Sequence, residues 1–208
     1  MGWTSYHATH YKDGKVNRKA ECDAYFTEGL NEGHFRVLKS SINGSVYYAA
    51  IKELTKYAGK DEDGIPIYIP EENGKVRAVV FLTSVRNGSY YNFSYKSMDE
   101  SYGPGYYDCP ASILKLLDKT DHEIANKWRN NCWKNIEKKR DLYALHNLPV
   151  GTIIEFKSEN DMLSGIKKGD IVRLTKYKNF QKKRKSFWAN GRYRWSSKMI
   201  PESYKVIV

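Results

Sequence analysis

Histidine and cysteine are scarce in this chain, and those present are scattered. The five histidines (His7, His10, His34, His122, His146) and three cysteines (Cys22, Cys109, Cys132) form no Cys-x-x-Cys or His-x-x-x-His pair. His7 and His10 stand in a β-leaning stretch, where an odd spacing sends them to opposite faces. A zinc site is therefore not expected, nor is any other metal or cofactor. An odd number of widely spaced cysteines excludes a closed disulfide framework and suits a reducing compartment. No apolar run reaches the roughly 18 to 20 residues that a membrane span needs. The opening Met1-Gly2-Trp3-Thr4-Ser5 lacks the basic start and apolar core of a secretory signal. Tyr6 stands where myristoylation would want Ser or Thr. These absences together predict a soluble cytoplasmic protein without a membrane partner.

What is present is a folded composition with a lopsided charge. The 208 residues are 40% hydrophobic and 14% aromatic, including 17 tyrosines, which excludes intrinsic disorder. The net charge of +11 is divided unevenly. Residues 1–149 hold 21 Lys+Arg against 19 Asp+Glu, whereas residues 150–208 hold 14 against 5. Between Arg173 and Lys198 lie ten cations and no carboxylate.

The pattern of the first two thirds predicts an α+β domain over residues 1–141. Trp3 to Tyr11 is β-leaning, Asp13-Gly14 offers a turn, and Asn17 is placed to cap a helix whose apolar side carries Cys22, Tyr25, Phe26 and Leu30. Strand-like runs at Phe35 to Leu38, Ser45 to Leu54, Val76 to Val85 and Ser89 to Tyr95 are joined at Asn43-Gly44 and Asn87-Gly88, dipeptides that favour hairpins. Lys60 to Gly64 reads as a polar, turn-like insertion. An antiparallel sheet of four to six strands, covered by helices, is expected. Pro110 opens a short helix. Thr120 and Glu123 have the spacing of a capping box for a longer helix carrying Ile124, Trp128, Cys132 and Ile136. That helix is expected to end in the charged run Glu137 to Asp141, and residues 142–149 to be a linker. Residues 150–208 then offer five short strand candidates, with Asn190-Gly191 as a further turn, the size of a small β-barrel.

Two resemblances bear on the setting. Gly2-Trp3-Thr4-Ser5-Tyr6, Arg18-Lys19-Ala20-Glu21, Gly44-Ser45-Val46-Tyr47-Tyr48-Ala49-Ala50, Val79 to Val85 and Gly103 to Pro110 resemble an uncharacterised family of unknown function encoded on mobile genetic elements, phage among them, of gut Firmicutes. That likeness covers residues 1 to about 140 and implies a setting without an activity. Leu148 to Ile154 and Gly165 to Leu174 resemble the opening strands of SH3-like small barrels, where a Gly-Asp turn leads into a strand.

The chemistry-bearing residues fall in two places. Lys176, Lys178, Lys182, Lys183, Arg184, Lys185, Arg192, Arg194 and Lys198 are interleaved with aromatics that include Trp188 and Trp195. Cations attract phosphates and release counterions, and aromatic faces stack on unpaired bases. This points to nucleic acid, DNA or RNA, as partner. The alternative for the aromatics is that they build the module's core while the charges form its solvated outside. Alternation places Arg192 and Arg194 on one face and Tyr193 and Trp195 on the other. The second place is the loop with Asp99, Glu100, Asp108 and Cys109, weak candidates for a hydrolase or transferase centre because carboxylates and a helix-start thiol lie among glycines. Against it stands a structural assignment, with the thiol in the core and Asp108 or Cys109 capping a helix. The leading expectation is a non-enzymatic accessory protein that binds nucleic acid, with a host or mobile-element protein as a further partner. An inhibitor of host defence, of the anti-CRISPR or anti-restriction kind, is the second. Trp133 and the paired tyrosines Tyr47-Tyr48 are additional candidates for partner contact.

Overall fold

The computed structural model describes residues 4–28, 33–86, 90–100, 105–157, 167–175, 187–191, 193–195, 200 and 204–208. The chain divides into two units, Met1–Ile136 and Glu137–Val208.

The first unit begins with strand β1 (Thr4–His7) and a small hairpin of β2 (Tyr11–Lys12) and β3 (Lys15–Val16). Its turn is the expected Asp13-Gly14, with φ of 52° and 70°. Helix α1 (Arg18–Thr27) follows, and the Asn17 side chain accepts the Ala20 N–H at 3.3 Å, the predicted cap. Strands β4 (Phe35–Asn43) and β5 (Val46–Glu53) pair through Asn43 and Val46. The central turn residues are thus Gly44 and Ser45, one place further along than the Asn-Gly dipeptide suggests, with Gly44 at φ 59°.

Strands β6 (Thr55–Lys60) and β7 (Pro66–Pro70) form a separate two-stranded hairpin. The polar insertion is its tip, where the Asp61 carboxylate accepts the N–H groups of Asp63 and Ile65. Strands β8 (Val76–Arg86) and β9 (Tyr90–Met98) complete a five-stranded antiparallel sheet in the order β1-β9-β8-β5-β4. The Asn87-Gly88 turn lies outside the described residues.

Helices cover both faces of this sheet. Alternation along β5 and β8 sends Tyr47, Ala49, Ile51, Val79 and Phe81 to the side of Cys22 and Phe26 from α1. Tyr48, Ala50, Ala78 and Val80 go to the side of helix α2 (Ala111–Leu114) and helix α3 (Glu123–His146). A strand buried on both faces reads as a continuous apolar run, and Val46 to Ile51 is one. Tyr47 and Tyr48 are accordingly both core, at 0% and 1% exposure, and neither offers a stacking surface. Trp133 is half-buried against the second cluster. Ile124 is exposed, and Ala125 takes its place in the interior. Thr120 accepts the His122 N–H in a local turn ahead of the helix, so the expected capping box does not form between Thr120 and Glu123.

α3 runs on to His146, so most of the expected linker is helical. Its last turns belong to the second unit, where Leu145 is buried. That unit is a five-stranded antiparallel sheet of β10 (Ile153–Phe156), β11 (Ile171–Thr175), β12 (Phe187–Asn190), β13 (Tyr193–Trp195) and β14 (Tyr204–Val206), in the order β13-β12-β11-β10-β14. Among the described residues no pairing joins β13 to β14. The protein is thus a mixed α+β chain of mostly antiparallel sheets. Among the described residues no helix is long and apolar enough to cross a membrane.

Candidate nucleic-acid interface

Strand alternation in the second unit separates apolar bulk from charge. One face of the sheet carries Ile154, Phe156, Val172, Leu174, Trp188 and Trp195, all 5% exposed or less. Trp188 stands opposite Leu174 on β11 and Trp195 on β13, so the two indoles occupy one row of the core. Phe156 meets Trp195 edge to face, with centroids 6.5 Å apart. The stacking role expected of Trp188 and Trp195 is corrected by this burial. A base cannot reach a ring face that already packs against aliphatic neighbours, so these residues hold the module together.

The opposite face carries charge. Arg173 pairs with Ala189, and Ala189 with Arg194, so the two arginines stand in one cross-strand row with a small residue between them. Both are exposed. Two inter-strand steps put their backbones about 10 Å apart. β11, β12 and β13 contain no carboxylate. Among the described strand residues the acid of this face is Glu155 on β10, and it is compensated. The Lys157 ammonium lies 2.6 Å away and Lys205 stands directly across on β14. The hydrogen bond from Lys157, aided by its charge and that of Lys205, holds the Glu155 carboxyl below its ordinary range. The row Arg173, Ala189, Arg194 thus lies on strands that contribute no acid of their own. The predicted Gly-Asp turn is in place at the entrance to β11, where Gly169 has φ 91° and the Asp170 carboxylate accepts the Lys167 N–H at 2.9 Å.

Of the expected cations, Arg194 is located on this face. Lys176, Lys178, Lys182, Lys183, Arg184, Lys185, Arg192 and Lys198 lie outside the described residues. The hairpin closes at the pair Asn190 and Tyr193, and Gly191 occupies its turn at φ 52°. Arg173, the first cation of the basic stretch, is a candidate contact residue that composition by itself does not distinguish. Its signal was alternation within Ile171-Val-Arg-Leu-Thr175, which sends Val172 and Leu174 inward and Arg173 outward.

The loop candidates meet a different fate. Asp99 is fully buried and accepts from Arg129 Nε at 2.5 Å and from the Ala78 N–H at 3.3 Å. Glu100 lies 2.8 Å from Lys75 Nζ, with Arg77 and Arg129 at 3.7 and 3.8 Å. Asp108 is exposed but engaged by the Asn43 and Asn135 side chains, and its N–H donates to the Tyr48 hydroxyl. Cys109 is 1% exposed in the core with Cys132 and Trp128. Burial, with the neighbouring Cys132 and Asp99, pushes the Cys109 thiol well above its ordinary range. A thiol kept protonated and dry is no nucleophile. Each of the four groups has a structural partner or a packed environment, and they do not form a catalytic constellation. Among the described residues no three His, Cys, Asp or Glu side chains converge as metal ligands.

No family profile, curated protein or solved structure matches the chain.

Proposed function

We propose that the protein is a non-enzymatic nucleic-acid-binding protein that engages phosphates through the outer face of its second unit. The observation that carries this is the in-register row Arg173, Ala189, Arg194 on an exposed face whose strands have no carboxylate. The residues that follow β11 in the sequence, 176–185, hold six further cations. Small residues between arginines let a backbone approach closely, and contact is governed by counterion release. The strand order β13-β12-β11-β10-β14, a meander whose last strand returns beside the first, supports a further proposal that this unit is an SH3-like barrel. The accessory role on a mobile element belongs to the same proposal and rests on the strings resembling the mobile-element family, and the cytoplasmic setting rests on the odd, widely spaced cysteines.

The test is equilibrium binding of the full chain to short single and double strands across a salt series. Affinity should fall steeply with salt, and Arg173→Gln and Arg194→Gln should each reduce the slope of log K against log salt by about one. Absence of binding at low salt would overturn the proposal.

A second reading, inhibition of a host defence protein by direct contact, is favoured by the β6–β7 hairpin, where Tyr57, Ile67, Tyr68 and Ile69 are 40 to 58% exposed. Tyr57 stands across from Tyr68 on one face and Ile67 and Ile69 lie on the other, and exposed apolar surface of this kind marks protein contacts. Capture of a host protein that survives nuclease treatment and is lost in Tyr57→Ser/Tyr68→Ser would favour it over nucleic-acid binding.

A further inference from the structure

The first unit carries a basic cleft that the second unit's chemistry does not use. It has a volume of about 430 Å³, within the range of small-ligand sites. Lys12, Lys15, Arg18 and Lys19 line it, against a single acid, Asp13, while Val16 and Ile42 supply apolar surface. Lys19 is neutralised by Asp23 at 2.7 Å. Among the described residues Lys12, Lys15 and Arg18 meet no carboxylate.

The cleft is built at a cost to the fold. Lys12 and Lys15 stand directly across from each other in the β2–β3 pair, and like charges in that position destabilise a ladder. A two-residue strand pair has little with which to offset this. The hairpin is nevertheless fastened at its root. The buried Glu21 carboxylate accepts the N–H groups of Thr9 and His10, each at 2.6 Å, and the Asn17 N–H donates to the His10 carbonyl at 2.9 Å. These bonds fasten the hairpin that carries the two lysines beside the start of α1, and Arg18 lines the same cleft. An oxyanion placed among the three cations would relieve the repulsion and find its donors already positioned.

We infer that this cleft binds a phosphate-bearing anion of nucleotide size. The inference is independent of the proposed interface on the second unit. The three cations bind the phosphate oxygens, Glu21 acts as a positioning residue for the hairpin, and Val16 and Ile42 offer surface to the uncharged part of a ligand.

Isothermal titration of the full chain at low salt, with inorganic tripolyphosphate and separately with a nucleoside triphosphate, tests this. Saturable binding with one site per chain is expected, weakened at least tenfold in Lys12→Gln/Lys15→Gln and in Arg18→Gln but unchanged in Arg173→Gln/Arg194→Gln. Tighter binding of the nucleoside triphosphate assigns a role to the apolar surface, and equal binding assigns recognition to phosphate alone. A thermal shift guards against misfolding. The lysine double variant should melt no lower than the parent, because the repulsion is gone, and tripolyphosphate should stabilise the parent but not the variant. Absence of saturable binding, or binding that the Lys12, Lys15 and Arg18 variants leave intact, overturns the inference. Loss of oligonucleotide binding in the Arg173/Arg194 variant with retention of tripolyphosphate binding leaves it standing, so the two proposals fail separately.

Discussion

Arg129 on α3 reaches the fully buried Asp99 at the end of β9, donating from Nε at 2.5 Å, and its Nη1 donates to the Asp118 carbonyl at 2.5 Å. One guanidinium therefore ties α3 both to the sheet and to the segment that precedes the helix.

Removing Arg129 strands a carboxylate that has no access to water. Arg129→Ala should destabilise the first unit by about 3 to 5 kcal/mol, since breaking a buried pair costs more than the pair contributes. Urea denaturation followed by tryptophan fluorescence reads this, and an unchanged midpoint would disprove it.

Glu100 gives the same region a pH dependence. Burial alone would raise its pKa, but hydrogen bonds from Lys75 and Thr120 and the charges of Lys75 and Arg77 outweigh that and hold the carboxyl below its ordinary value. A depressed carboxylate pKa means that the stabilisation is full above the ordinary glutamate range and is lost as pH falls through the native value. Melting temperature should drop on the acid side for the parent, and Glu100→Gln should flatten that limb while lowering stability at neutral pH.

All three thiols should be silent in the native protein. Cys22, Cys109 and Cys132 are 0 to 1% exposed, and burial together with neighbouring acids pushes Cys132 up to about 12. A thiol reagent at pH 8 should label none of them before unfolding and three in denaturant. Rapid native labelling of Cys109 would revive it as a nucleophile.

Gly74 precedes β8 where the chain passes the end of β5. A Cβ there would lie 1.7 Å from the Glu53 carbonyl oxygen. Because the obstacle is backbone, Gly74→Ala should cost roughly 3 kcal/mol or more, as overpacking does when neighbours cannot yield. Gly44→Ala, with open space around it but φ of 59°, should cost about 1 to 2 kcal/mol from backbone conformation alone.

In the second unit, core and surface should respond differently. Trp188→Ala should destabilise by about 3 to 5 kcal/mol. Arg194→Gln should change stability by less than about 0.5 kcal/mol while weakening nucleic-acid binding. A Trp188→Phe variant that kept its melting temperature but lost binding would restore the stacking role.

Much of the first unit was legible because its signals are local. Asp13-Gly14 requires two positive φ values, Asn17 has an orphan N–H three residues on, and the β5 run must be covered on both faces. The β6–β7 hairpin was not legible. Pro66 and Pro70 bound β7, and Gly59 interrupts β6, all marks against a strand. The hairpin tolerates them because the prolines sit at its ends and Gly59, at φ 121°, takes up a register shift after Tyr57. The reach of α3 was hidden for another reason. Its charged residues 137–141 interrupt the apolar period, and only Leu145, packed in the second unit, supplies the next buried position.

The basic stretch of residues 173–198 is a property of composition, and the sequence alone determined that it carries ten cations without a carboxylate. It also determined which residues of a strand must part company, because alternation has a period of two. Tertiary structure decided the rest. Whether Trp188 and Trp195 stack on a ligand or on each other's neighbours depends on which face of the sheet is buried. Whether Arg173 joins Arg194 depends on a register set by two strand pairings, β11 with β12 and β12 with β13. Likewise Asp99, Glu100 and Cys109 looked like chemistry in a line of text, and became structure once Arg129, Lys75 and a packed core stood around them. Pairing partners distant in sequence leave no mark on composition or local pattern, so only the folded chain brings them together.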